Sequence, residues 1–317
     1  MDLSLSTIVH RLVLIARGLA FVFLVYFVPV VARDLLAQAL PGGGMIGILV
    51  GDPAGPWFPF LVSGATLVLS AVFVLLYART WEGASRPARL LRFDRRWFSE
   101  WGRGFLIGGA VASLVLAPLF LAGVFRIDAV SSGGSERPLW VLAVLLTLFF
   151  EAAREELGFR GPAQREITAA INFPVAAIFL AGSFAIIHGG NPAVGKSGLL
   201  GVFLAGLALA GLARARGDLG MVCGVHAGWN VFTAMVWSVA VSGFQLDAAL
   251  LEVSPSASTS WTGGDFGIEG SIPGIVSFLI LAFVTWGLPA RAGAPADRTW
   301  IEPAGTIAGD SDDTPEA

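Results

Sequence analysis

Apolar runs of about twenty residues, separated by short polar or glycine-rich stretches, recur along the 317-residue chain. A helix rises about 1.5 Å per residue, so a run of about 20 apolar residues crosses the hydrocarbon core of a bilayer. By that measure the pattern predicts spans at 12–32, 57–78, 104–125, from 139 onward, 173–188, 199–213, 219–242 and 272–288. The expected fold class is therefore all-α, a polytopic transmembrane helix bundle of about eight spans. Pro41-Gly42-Gly43-Gly44 marks the first connection, and Asn172-Phe173-Pro174 marks the turn into the fifth helix. Gly201, Ala205, Gly206, Ala208 and Gly211 stud the sixth, where small residues let helices approach closely.

Composition narrows the class further. With 55% hydrophobic and 14% charged residues, the chain has too little polar surface to cover a soluble domain. Cys223 is its only cysteine, which excludes an intrachain disulfide framework and thiolate metal clusters. Any metal would have to use histidine and carboxylate.

The net charge is −3, but its distribution says more than its sum. Arg79, Arg86, Arg89, Arg92, Arg95, Arg96 and Arg103 crowd one connection between two apolar spans. Such a strip is a topology signal and not a nucleic-acid footprint, and the positive-inside rule puts it in the cytoplasm. Both termini are then cytoplasmic, and the cell membrane is the expected location. The first apolar run is too long for a signal-peptide core and is expected to be a retained helix. His10, Arg17 and the loop arginines belong to the surface and to topology, and Trp57, Trp140 and Trp286 to the membrane interface. The expected divisions are 1–138, N-terminal helices with the basic loop; 139–290, the bundle carrying the chemistry; and 291–317, a disordered acidic tail.

Against this apolar background one polar cluster stands out. The run Leu139 to Phe150 ends in Glu151, Arg154, Glu155, Glu156 and Arg160, and ionisable groups at membrane depth mark a functional site by default. Glu156 and Arg160 are four apart with the acid first, the favoured order for an ion pair on one helix face. Glu155 is rotated by about 100° from its neighbour and is left free for chemistry. Glu151 shares its face.

Two of the three histidines join from other helices: His188, one turn after Phe184, and His226, one turn before Asn230. Each piece alone reads as an ion pair or an interhelical hydrogen bond. Their joint occurrence points to a carboxylate base beside imidazoles and an amide donor, the groups that peptide hydrolysis requires. Two His and one Glu also make a plausible zinc set of Glu155, His188 and His226. The absence of H-E-x-x-H and the His/Asn spacing favour a metal-free scheme with no cofactor.

E-E-x-x-x-R at 155–160, F-x-x-x-H at 184–188 and H-x-x-x-N at 226–230, in that order on a polytopic chain, resemble the CPBP family of intramembrane proteases. That family comprises the type II CAAX prenyl endopeptidases and the Abi, bacteriocin-processing and self-immunity proteins. The resemblance covers roughly 139–240. It implies an intramembrane endopeptidase in which Glu155 and His188 activate a water and His226 and Asn230 form the oxyanion hole, with Glu156 and Arg160 in support. Gly158 departs from the pattern, where a bulky residue is expected. The implied partners are the bilayer and a membrane-associated protein or peptide, prenylated CAAX-type substrates being one class. The other function class is a non-proteolytic immunity factor or scaffold whose polar cluster is structural. A transporter is a distant third, since neither repeats nor paired broken helices are visible.

Overall fold

The computed structural model describes residues 5–28, 31, 57–81, 93–131, 137–246 and 249–290. The glycine-rich connection at 41–44, Arg86, Arg89, Arg92 and the acidic tail at 291–317 lie outside the described residues.

In chain order, α1 (Leu5–Val22) runs into a π-helical turn at Phe23–Phe27 and is followed by α2 (Trp57–Trp81) and α3 (Arg95–Leu121). Strand β1 (Phe125–Val130) precedes α4 (Arg137–Arg160), α5 (Pro162–Ala170) and α6 (Phe173–Ile187). Then come α7 (Lys196–Arg216), α8 (Gly220–Val231) with a π turn at Phe232–Val236, β2 (Leu251–Pro255), the short α9 (Thr259–Thr262) and α10 (Ile272–Gly287).

The fold is an all-α bundle and the chain is an integral membrane protein. Among the described residues four helices are long and apolar enough to cross a bilayer: Leu5–Phe27, Arg95–Leu121, Phe173–Gly190 and Lys196–Arg216. Phe60–Leu76 and Ile272–Gly287 are shorter apolar helices. Leu114, Ile186 and Phe283 point outward, as lipid-facing side chains do.

Local chemistry explains most of the boundaries. The Asp94 carboxylate accepts from the Trp97 amide at 2.8 Å and starts α3. The Asn172 side chain caps α6 by accepting from the Val175 amide at 3.0 Å, with Pro174 in the first turn. The Ser271 hydroxyl does the same for α10 at the Gly274 amide.

The helices differ from the sequence expectation in two places. The fourth span does not run on to Asn172: α4 stops at Arg160, Gly161 breaks the chain, and α5 forms a separate amphipathic helix. The seventh was expected to reach Ser242, but helical structure ends at Val236 and Ser238 takes a positive φ of 58°. The connection beyond it is structured. β2 pairs antiparallel with β1, with Phe125 opposite Pro255 and Val130 opposite Leu251. At the opposite end of the bundle Glu100, at the start of α3, pairs with Arg216, the last residue of α7.

The packing that matters most to the site is α8 against α3. The two run parallel, with Gly104 against Met221 and Gly108 against Val225. A Cβ on Gly224 would lie 2.1 Å from the Trp101 carbonyl oxygen, and one on Gly228 the same distance from that of Phe105. Backbone meets backbone here, as small-residue interfaces in membranes allow. Gly224→Ala is expected to push the helices apart and to cost about 1–3 kcal/mol, the usual range for overpacking. Chemical unfolding in detergent measures this, and an unchanged midpoint would show that the interface yields freely.

Candidate active site

Glu155 and Glu156 sit near the end of α4, rotated onto different faces as their adjacency requires. Glu156 is completely buried. Its Oε1 accepts from Arg160 Nη1 at 3.1 Å, the ion pair expected from their spacing. It also accepts from His226 Nδ1 at 2.8 Å, a contact across 70 positions. Glu156 is thus more than the partner of Arg160, because it fixes the ring of a proposed site histidine. Arg160 is held in turn by the Gly206 carbonyl at 3.2 Å and lies 4.5 Å from the centre of the Phe184 ring.

Glu155 faces the interior of the protein, with a side chain 12% exposed. One oxygen is 3.7 Å from His226 Nε2, outside hydrogen-bond range, and the other is 3.8 Å from Arg154 Nη2. Glu151, which shares its face, is paired to Arg154 through Nε at 3.0 Å. Its like charge is therefore locally compensated.

His188 closes α6. Its Nδ1 donates to the Phe184 carbonyl at 2.7 Å, and a carbonyl can only accept, so the proton is on Nδ1. In the neutral ring Nε2 is then an acceptor, able to take a hydrogen bond from water. The same reasoning applies to His226. With Nδ1–H given to the Glu156 carboxylate, Nε2 donates only when the ring carries both protons. The Asn230 amide donates in every state.

His188, His226 and Asn230 line one cavity of about 340 Å³. Its other walls are mostly apolar, including Ile107, Val111, Leu209, Phe278 and Leu281 from α3, α7 and α10, with Arg216, Ser242, Glu269 and Thr285 as polar exceptions. Glu155 is not among its lining side chains and meets this group through His226. Phe184, one turn before His188, has its ring 4.5 Å from that of His188 and 6.4 Å from that of His226.

Residues 137–232 match the family model described as Rce1-like, the type II CAAX prenyl endopeptidases. That segment, under half of the chain, is similar to a CPBP-family protease domain. The matched segment runs from the first residue of α4 to the residue after α8 and includes Glu155, Glu156, Arg160, His188, His226 and Asn230. No curated protein and no solved structure matches the chain.

Among the described residues no group of three His, Cys, Asp or Glu side chains is spaced to hold an ion. His226 Nδ1 and His188 Nδ1 are each committed to a hydrogen bond, which leaves Nε2 as the open nitrogen of each ring. Cys223 is buried in the core one turn before His226 and has the packing role its position suggests. Gly158, the departure from the motif, faces the Val25 side chain, so α1 fills the room a larger residue would need.

Sequence reasoning missed the Glu156–His226 bond, because an acid already paired on its own helix gives no sign of a second partner. It also missed Glu269. That buried carboxylate accepts from Trp229 Nε1 at 3.1 Å and from the Ser242 amide and hydroxyl, and it borders the same cavity. A lone acid in a polar connection carries no sequence signal of this kind.

Proposed function

We propose that this protein is an intramembrane endopeptidase that hydrolyses a peptide bond in a membrane-associated, lipid-modified protein or peptide by a metal-free route. One observation supports this reading above the others: His226 links Glu155 and Glu156 to an apolar cavity that His188 and Asn230 also line.

Glu155 is the base. A water held by His188 Nε2 attacks the scissile carbonyl carbon as its proton passes to Glu155, forming the new C–O bond. The tetrahedral oxyanion takes a hydrogen bond from the Asn230 amide, and from His226 Nε2 when that ring is doubly protonated. The C–N bond then breaks, and the leaving amine takes the proton back from Glu155. Glu156 and Arg160 keep His226 in place and do not touch the reacting atoms.

The apolar walls suit a hydrocarbon tail. Each methylene withdrawn from water into such a surface contributes about 0.8 kcal/mol, so a prenyl chain would dominate binding while the polar end aligned the peptide bond. The active site would lie on the cytoplasmic side of the cell membrane with both chain termini.

The test is hydrolysis of a farnesylated CAAX-type reporter peptide by the purified chain in nanodiscs. Asn230→Ala is expected to lower kcat by about 10²-fold with KM little changed, the usual loss for one oxyanion donor. Cleavage at equal rates by the variant, or no cleavage by the unmodified chain, would overturn the proposal.

A further inference from the structure

The matched family segment begins at Arg137, yet two side chains from helices well before it reach the neighbourhood of Glu155. On α4, Glu151, Arg154, Glu155 and Gly158 recur at helical spacing. Glu151, Arg154 and Gly158 meet α1 and α2: Val25 lies against Gly158, the Tyr26 ring centre is 4.6 Å from the Arg154 guanidinium carbon, and Ser63 Oγ donates to Glu151 Oε1 at 2.6 Å. Arg154 is bound to the other oxygen of Glu151 and is 95% buried, with its Nη1 left without a hydrogen-bond partner.

We infer that Tyr26 and Ser63 are positioning residues for the Glu155 carboxylate, acting through Arg154 and Glu151. The inference rests on the reading of Glu155 as the base. Glu155 is bracketed by two groups, Arg154 Nη2 on one oxygen and His226 Nε2 on the other. The His226 side is fixed by Glu156 from within the Rce1-like domain. The Arg154 side is not fixed by that domain alone. Arg154 has two carboxylates within reach, Glu151 and Glu155, and without further restraint a long guanidinium would settle between them. Ser63 anchors Glu151, Glu151 anchors Arg154, and the Tyr26 ring gives the guanidinium a face to lie on.

The π turn at Phe23–Phe27 contains both Val25 and Tyr26, and such turns re-aim side chains relative to an unbroken α-helix. The N-terminal helices therefore do more than anchor the chain: they complete the charge environment of the proposed base. Three carboxylates, Glu151, Glu155 and Glu156, are gathered here against Arg154 and Arg160, with His226 between two of them. Loss of either restraint on Arg154 changes the field at Glu155 first.

Two readouts test this on the full-length protein in nanodiscs. Tyr26→Leu and Ser63→Ala should each lower kcat on the farnesylated reporter by about tenfold with KM little changed, whereas Tyr26→Phe, which keeps the ring, should stay within about twofold. The second readout needs no turnover. A hydrophobic carbodiimide reacts with protonated carboxyls in membranes, and modification of Glu155 is followed by peptide mass spectrometry. With Arg154 Nη2 beside one Glu155 oxygen, labelling should rise about fivefold or more in Arg154→Gln and Tyr26→Leu and stay near the unmodified level in Tyr26→Phe.

Unchanged kcat and unchanged labelling in Tyr26→Leu and Ser63→Ala, with the proteins folded by size exclusion, would reduce both residues to helix-docking contacts and overturn the inference. If Tyr26→Leu fails to fold, Ser63→Ala and Arg154→Gln carry the same comparison. Absence of cleavage by the unmodified protein would sink the proposed function, and the labelling series would still decide the positioning role.

Discussion

Glu155→Gln is expected to lower hydrolysis by about 10²–10⁴-fold, the range over which a general base contributes, and to leave the fold intact. Glutamine keeps the size and one carbonyl oxygen of the carboxylate but cannot accept the proton that water must lose. The structural cost is small because Glu155 makes no close hydrogen bond among the described residues, where His226 Nε2 and Arg154 Nη2 lie 3.7 and 3.8 Å away. Arg154 keeps Glu151 as its main partner. The measurement pairs kcat with a thermal unfolding curve in the same detergent. A folded variant that still cleaves near the unmodified rate would show that the base lies elsewhere, and a phenotype kept without turnover would favour a scaffold.

Glu156→Ala is expected to show the opposite balance, with stability lost together with activity. Glu156 is fully buried and holds both Arg160 and His226 on one oxygen. Removing it leaves a guanidinium buried without its counter-ion, which typically costs about 3–5 kcal/mol, a large share of a stability of about 5–15 kcal/mol. The Gly206 carbonyl and the Phe184 ring still hold Arg160 but supply no negative charge. Glu156→Gln, which keeps an acceptor for both donors, should fall between. Chemical unfolding in detergent reads the first effect. The second is tested by combining Glu156→Ala with His226→Ala, because residues in one network lose less together than the sum of their separate losses. Full additivity would mean that the bond to His226 does not matter to turnover.

The bundle was legible from the chain because hydrocarbon runs of bilayer length leave little choice of structure. The Glu156–Arg160 pair was legible from its spacing. Residues of three helices come together, His188, His226 and Asn230 around one cavity and Glu155 3.7 Å from His226 but outside the lining. The count of about eight spans was less secure. α8 is only 12 residues of α-helix before its π turn, and α4 loses its apolar character where the charges begin.

The level of His226 was the hardest point to read. A single reversal at Asn172, the turn into the fifth helix, would place Glu155 and His188 about equally far from it, with His226 much nearer the start of its own span at 219. Gly161 and the separate α5 remove the basis of that count, since α4 ends twelve positions before the cap of α6. Depth is instead set by side chains: Arg160 lies on the Phe184 ring and Glu156 on His226, which brings the lower parts of α4, α6 and α8 to one level. The glycine contacts of α8 with α3 were invisible for a different reason. Gly220, Gly224 and Gly228 repeat at a spacing that suits close approach, but a spacing does not say which helix approaches.

The α3 side of the cavity has polar ties at its two extremities, and between them it meets α10 through apolar side chains, Val111, Leu116 and Phe278 sharing one packed cluster. At one extremity, the β1–β2 ribbon ties the exit of α3 to the segment that leads into α10; at the other, Glu100 on α3 grips Arg216 on α7. On the proposed function, a lipid tail entering sideways from the bilayer would do so between α3 and α10 near Val111 and Phe278, where the facing side chains are apolar.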